Sequence, residues 1–178
     1  MLEKIDVRAI VTGHLDTLVH AKTERRLPSD IAVFFGVPAA LAIVAAVLDG
    51  AMSTAMATVL ATVHAIISGL MFNLLVIIYE VHDRARKTGG AAMRGVRMRL
   101  LDETYRNVSF LILSSILALI LLAVTVFVGT GAIGQVLSGL VYFLSGVFAF
   151  TLLMVLKRVH TLLNEDFDTG SGRDSVAP

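Results

Sequence analysis

The sequence has no cysteine and few charged residues, and both absences narrow what the chain can be. Without Cys there is no disulfide and no thiolate metal site, and the redox compartment cannot be inferred. Charged residues make up 16% of the 178 residues, whereas 56% are apolar. Since about a quarter of an average soluble domain is charged, this composition excludes an ordinary water-soluble globular protein and indicates a membrane protein.

Motifs of the common enzyme classes are also missing. The sequence contains no HExxH zinc site, no P-loop, no GxSxG nucleophile elbow and no EF-hand loop, and its five His residues lack close ligand spacing. Inside its apolar runs the only acidic or basic residue is His64, which argues against a proton-coupled carrier built on a membrane carboxylate. We therefore expect no enzymatic activity, no bound metal and no cofactor.

Four apolar runs have the length and composition of membrane-spanning helices. They cover residues 31–48, 55–79, 108–128 and 136–156. A hydrocarbon core about 30 Å thick needs about 20 such residues. Short turns join the first run to the second and the third to the fourth, which makes these neighbours antiparallel. The sequence therefore predicts an all-α, polytopic membrane domain at residues 31–165 with four transmembrane helices.

Three polar regions flank or divide this domain. Residues 1–30 contain an amphipathic helix over 2–22, which can lie on the membrane surface or pack against other helices. We favour packing, because its polar face mixes both charge signs. Residues 80–107 extend the second and third helices, which we expect to meet at Gly89-Gly90 as a projecting hairpin. Residues 166–178 have the composition of a disordered tail, and the late first apolar run argues against a cleavable signal peptide.

The distribution of Lys and Arg predicts the orientation. Of the fifteen, five precede the first run, seven lie between the second and third, and three follow the fourth. The two remaining turns have none. Because positive residues stay on the cytoplasmic side, both termini and the hairpin are predicted to be cytoplasmic.

Polar residues inside the runs fall in stripes at helical spacing. The second run places Thr58, Thr62 and Asn73 on one face, and the third does the same with Asn107, Ser114 and Thr125. Such stripes either pack helices together or line a weakly polar pore in an oligomer, and we favour packing. His64 has the same two interpretations, a hydrogen-bonded packing residue or a gating residue.

A basic cluster occupies the predicted hairpin. Its members are Arg84, Arg86, Lys87, Arg94, Arg97 and Arg99. Topology and attraction to anionic membrane lipids explain such a cluster without further function. The alternative is a ligand-binding site, in which arginine forks grip the phosphates of a nucleotide or short oligonucleotide.

Several segments of the chain resemble one family. They are residues 14–18 (HLDTL), 26–30 (RLPSD), 69–75 (GLMFNLL), 101–109 (LDETYRNVS) and 153–158 (LMVLKR). They resemble small bacterial four-span membrane proteins similar to the membrane effector of Hailong-type anti-phage defence systems. The resemblance implies a homo-oligomeric, tetrameric, ion-conducting effector in the bacterial inner (cytoplasmic) membrane. An oligodeoxynucleotide from a partner nucleotidyltransferase would hold it shut until infection. The resemblance assigns no ligand residue.

Two functions fit these patterns. The first is a homo-oligomeric channel or membrane-disrupting effector, gated from the cytoplasm by an anionic ligand. The alternative is a non-conducting membrane scaffold, which recruits a soluble cytoplasmic partner through the N-terminal helix and the hairpin.

Overall fold

The computed structural model describes residues 7–18, 28–88 and 91–171, with side chains over 7–18, 31–48, 50–83 and 98–161. Within these ranges the chain forms five helices: α1 (Arg8–Thr17), α2 (Pro28–Asp49), α3 (Thr54–Thr88), α4 (Ala91–Val128) and α5 (Ala132–Ser171). The last four are long and apolar enough to cross a membrane. The prediction of an all-helical membrane protein with four such helices is confirmed.

Three of these helices are much longer than a bilayer core. Helices α3, α4 and α5 contain 35, 38 and 40 residues. At 1.5 Å per residue they measure about 52, 57 and 60 Å, against a hydrocarbon core of about 30 Å. Helix α5 also continues to Ser171, so residues 166–171 of the predicted disordered tail are helical, and residues 172–178 lie outside the described part of the chain. No Gly or Pro occurs between Gly146 and Gly170, so nothing local ends the helix earlier.

The two turns between apolar helices begin at glycines in the left-handed region. Gly50 has φ 69° and Gly129 has φ 72°. Their backbone N–H groups donate to the carbonyls of Ala46 and Thr125, at 3.2 and 3.1 Å. A glycine with positive φ just after a helix tolerates this conformation at little cost. Each turn therefore reverses the chain within a few residues.

The apolar helices pack as antiparallel neighbours in the order α3, α4, α5, α2. Helix α4 lies between α3 and α5. Its apolar segment is accordingly more buried than the apolar segments of the other three helices. Helices α2 and α5 approach closely where Gly146 meets Pro38, since a Cβ at Gly146 would lie 2.7 Å from the Pro38 Cβ. The two outer helices, α2 and α3, expose most of their surface.

Helix α1 packs against α4 at one end of the bundle. Its apolar side chains Leu15 and Leu18 join a cluster with Phe34 of α2 and Val147 of α5. Gly13 faces the side chain of Arg106, whose Cδ would lie 3.5 Å from a Cβ at this position. The sequence predicted helix over residues 2–22, of which residues 2–6 and 19–22 lie outside the described part of the chain.

Candidate functional site

The predicted polar stripe of α3 lies on the exposed side of that helix. Thr58, Thr62 and Asn73 are all exposed. The Thr58 hydroxyl donates to the Thr54 carbonyl at 2.9 Å, and the Thr62 hydroxyl donates to the Thr58 carbonyl at 2.8 Å. Both hydroxyl protons are thus satisfied within the helix. Asn73 has no hydrogen-bond partner among the residues that the structure describes.

The corresponding stripe of α4 lies inside the bundle. Asn107, Ser114 and Thr125 are buried. The Ser114 hydroxyl donates to the Leu111 carbonyl at 2.9 Å, and that of Thr125 donates to the Leu121 carbonyl at 2.7 Å. The two stripes therefore differ in environment, although their sequence patterns are similar.

Most of the predicted basic cluster lies outside the described side chains. This applies to Arg84, Arg86, Lys87, Arg94 and Arg97. The remaining member, Arg99, is 65% exposed, and its Nε donates to Glu103 Oε1 at 3.0 Å. Because the two residues are four apart on α4, this pair lies along the helix surface.

Glu103 bridges two arginines from different helices. One carboxylate oxygen accepts from Arg99, and the other lies 3.0 Å from Nη1 of Arg158 on α5. The Arg158 side chain is only 15% exposed. Its Nη1 is near Glu103 but lacks the alignment of a hydrogen bond. The contact is therefore an ion pair that ties α5 to α4.

Arg158 also holds α1. Its Nη2 donates to the backbone carbonyl of Thr17 at 3.0 Å. Thr17 lies at the C-terminal end of α1, where the last carbonyls of a helix have no partner within the helix. A guanidinium is favourable there, because the C-terminal end of the helix dipole is negative. Arg158 thus joins α1, α4 and α5.

His14 of α1 is completely buried between helices. Its Nδ1 donates to Asn107 Oδ1 at 2.8 Å, as the amide is oriented, and the Thr17 hydroxyl lies 2.7 Å from the same oxygen. The imidazole stacks on Phe110, with centroids 3.9 Å apart and planes inclined by 2°. Phe34 of α2 packs against it at 5.4 Å. We call His14, Thr17, Glu103, Asn107 and Arg158 the His14 cluster.

Burial keeps His14 neutral. The loss of solvation lowers its pKa from 6.5 to about 4, and the positive charge of Arg158 adds to this effect. The hydrogen bond with Asn107 acts in the opposite direction. At neutral pH the docked helix therefore contains an uncharged imidazole, because a buried cation next to an arginine is unfavourable.

The His14 cluster contains polar atoms that are only partly satisfied. Among the described side chains, His14 Nε2 and Asn107 Nδ2 are buried without a partner. An unpaired buried polar group costs about 1–3 kcal/mol. These unpaired atoms therefore offset part of the free energy by which α1 docks on the bundle. It contains no nucleophile paired with a base, and the described residues contain no group of three His, Asp or Glu able to hold a metal.

A cavity of about 360 Å³ opens between α3 and α4. It is lined by Ile78, Tyr79, His82, Asp83, Leu101, Asp102 and Tyr105. Two of these residues are aspartates, and an anion is repelled by carboxylates. This cavity is therefore not where we place an anionic ligand.

His64 joins three helices in the middle of the bundle. Its Nε2 lies 3.1 Å from the hydroxyl of Ser145 on α5, and its ring packs against Phe148 at 4.3 Å. The Ser115 hydroxyl of α4 donates to the His64 carbonyl at 3.1 Å. This arrangement fits a hydrogen-bonded packing residue between α3, α4 and α5.

Sequence reasoning missed the His14 cluster as a site. One signal for it was present, because His14 follows Val11 by three residues and precedes Leu18 by four, which puts it on the apolar face of the helix. Nothing in the sequence pairs it with Asn107, which lies 93 residues away.

Comparisons with protein-family models, curated proteins and solved structures gave no match.

Proposed function

We propose that this protein is a homo-oligomeric membrane channel or membrane-disrupting effector, gated from the cytoplasm by an anionic ligand. A nucleotide or oligonucleotide fits the basic cluster, and the family resemblance suggests bacterial anti-phage defence. The observation that supports gating is the continuous contact from Arg99 through Glu103 and Arg158 to Thr17. This contact links the predicted ligand region on α4 to the docked helix α1.

In the proposed topology, the ligand-binding hairpin and α1 lie on the same side of the inner membrane. Both termini, α1 and the α3–α4 connection are cytoplasmic in this proposal, because all Lys and Arg lie in those regions. The lengths of α3 and α4 are consistent with a hairpin that extends beyond the bilayer. A soluble ligand can then reach Arg99.

Ligand binding would act by competition at Arg99. The guanidinium is mostly exposed, and an exposed ion pair contributes only about 0.2–1 kcal/mol, so a phosphate can displace Glu103 from it. Phosphate is a good competitor because an arginine fork binds it through two hydrogen bonds. Glu103 then has Arg158 as its remaining partner. The change redistributes the contacts by which Arg158 of α5 holds α4 and, through Thr17, α1.

The test is ion flux in proteoliposomes with and without a short oligodeoxynucleotide. We expect a flux that the oligonucleotide changes, and we expect Arg99→Gln to abolish the response to the oligonucleotide. Lys157→Gln is a suitable control, because Lys157 is also exposed and basic but lies on α5. Membranes that stay impermeable under every ligand and voltage condition would contradict the channel.

The second candidate function is a non-conducting scaffold. It is supported by the outer face of α1, where Arg8, Thr12 and Asp16 are exposed at helical spacing. A soluble partner could bind this face while α1 stays docked. In a pull-down from cells, removal of α1 should then release that partner, and its retention would argue against the scaffold.

A further inference from the structure

We infer that the cavity between α3 and α4 binds an organic ammonium ion, that is, a protonated amine or a quaternary ammonium group. Its volume of about 360 Å³ lies in the range of small-molecule sites, about 300–1,000 Å³. Among the described residues, it shares none with the basic cluster or with the His14 cluster. The inference therefore does not rest on the proposed channel or on its anionic ligand.

The lining of the cavity combines buried apolar side chains with aromatic rings. Ile78 and Leu101 are only 6% and 4% exposed and form its most buried part. Tyr79 and Tyr105 line it from one helix each and are exposed. The face of a tyrosine ring is negative and attracts a cation, and quaternary ammonium ligands are recognised in this way. Such a lining suits a cation that carries apolar groups better than a hydrated metal ion.

The charged side chains of the cavity favour a cation. Asp83 comes from α3 and Asp102 from α4, and no Lys or Arg with a described side chain lines the cavity. Two carboxylates attract a positive group that lies between them. Asp102 also pairs with Arg106 at 3.0 Å, but the two side chains are 54% and 42% exposed. An ion pair this exposed is weak, so a bound ammonium can share or replace the arginine.

Both helices place a tyrosine and an aspartate one turn apart. On α3, Asp83 follows Tyr79 by four residues, and on α4, Tyr105 follows Asp102 by three. Helix α3 leaves its apolar run at this end, whereas α4 has yet to enter its own. On each helix the tyrosine therefore lies nearer to the apolar run than the aspartate does. This gradient fits a ligand whose apolar part points towards the membrane and whose ammonium group points away from it.

The position of the cavity allows two sources for the ammonium group. Asp102 and Tyr105 lie just before the apolar run that begins at Val108, and tyrosines are typical of the level where water and lipid headgroups meet. The group can belong to a lipid headgroup, as in phosphatidylethanolamine, or to a soluble amine. Both present the same chemistry to the two carboxylates and the two rings.

Tyrosine fluorescence tests the inference directly, because the chain has no Trp and two of its three Tyr line the cavity. Tyr142→Phe removes the third signal and serves as the reference protein. It is reconstituted in nanodiscs of phosphatidylglycerol, which has no amine, and titrated with tetramethylammonium chloride. We expect a saturable change in emission, which sodium chloride at the same ionic strength does not produce.

Charge variants of the reference protein locate the site. Asp83→Asn and Asp102→Asn should each weaken tetramethylammonium binding about fivefold, because each removes one exposed contact between a carboxylate and the cation. Glu80→Gln is the matched control, since Glu80 is an exposed acid on α3 that does not line the cavity, and binding should stay unchanged. Arg106→Gln breaks the same ion pair as Asp102→Asn but keeps the carboxylate, so it should bind at least as tightly as the reference.

Nanodiscs that also contain phosphatidylethanolamine distinguish the two sources. If the headgroup occupies the cavity, this lipid changes the emission and weakens tetramethylammonium binding by competition. If the lipid has no effect while tetramethylammonium binds, the ligand is a soluble amine, and either result supports the inference. It is overturned if neither compound changes the emission, if sodium chloride acts as tetramethylammonium does, or if both Asn variants bind as tightly as the reference.

Discussion

Acidification should release α1 from the bundle, because docking buries His14 in its neutral form. The pKa of the docked imidazole is about 4, against 6.5 in water. Between these values the undocked state binds a proton and the docked state does not. Docking is therefore strongest above pH 6.5 and weakens as the pH falls towards 4. The groups that face His14 from α4 and α5 are Asn107 and Arg158, and neither offers a negative charge to an imidazolium.

The size of the effect follows from the two pKa values. At pH 5 the loss of docking free energy is about 2 kcal/mol, which raises the undocked population about twentyfold relative to pH 7. Below pH 4 the loss reaches its limit of about 3.4 kcal/mol. Glu103 does not compensate, because it already pairs with Arg99 and Arg158.

Thiol modification of two neighbouring positions on α1 measures this change. Gly13→Cys reports docking, because Gly13 is buried against Arg106 and a Cβ there meets its Cδ at an ordinary distance of 3.5 Å. Thr12→Cys is exposed on the same helix and corrects for the intrinsic pH dependence of the reagent. We expect the ratio of the two modification rates to rise about twentyfold between pH 7 and pH 5.

His14→Gln is the matched control, because glutamine is polar but does not titrate. In this background the ratio should stay constant over the same pH range. A constant ratio in the protein with native His14 would refute the reasoning. An equal rise in both backgrounds would show that another group titrates.

Two further substitutions test the packing. Arg158→Met removes the ion pair with Glu103 and the hydrogen bond to Thr17 of α1. It should lower the protection of α1 amides against hydrogen exchange by about 2 kcal/mol. The control Lys157→Met, at the exposed neighbouring position, should leave this protection unchanged. Unchanged protection would show that this arginine does not hold α1. Gly146→Ala forces a methyl group against Pro38 and should lower the free energy of unfolding in detergent by about 1–3 kcal/mol. Gly36→Ala meets no neighbour and should be neutral or stabilising, so equal effects of the two alanines would contradict the close contact.

The helices themselves could be predicted from local patterns. The apolar runs have the length of membrane-crossing helices, and Gly89-Gly90 interrupts an otherwise helical segment, so α3 and α4 have bounds close to those expected. The error at the end of α5 has a similar local origin. Polar composition near residue 166 suggested disorder, yet polar residues without Gly or Pro can continue a helix that packing has already established.

The environment of the polar stripes could not be predicted in the same way. Periodicity shows that Thr58, Thr62 and Asn73 share one face of a helix, as do Asn107 and Ser114 on another. It does not show which face meets a neighbouring helix, because that depends on the arrangement of the four helices in space. The two stripes have similar patterns but opposite exposure. The link from Thr17 to Arg158 spans 141 residues and was beyond local reasoning for the same reason.

The pairing of α2 with α5 has a consequence for biosynthesis. Helix α2 is the first of the four apolar helices to be translated, and its contacts include the hydrogen bond from Gln135 to the Ala46 carbonyl, 89 residues along the chain. During synthesis α2 must therefore remain in lipid without α5 until the last span has been inserted. Lipid alone can solvate the apolar segment of α2 during this time, because residues 31–48 contain no polar side chain that would need a partner. Helix α3 differs, because its buried His64 contacts α4 through its backbone carbonyl but finds its side-chain partner, Ser145, only on α5.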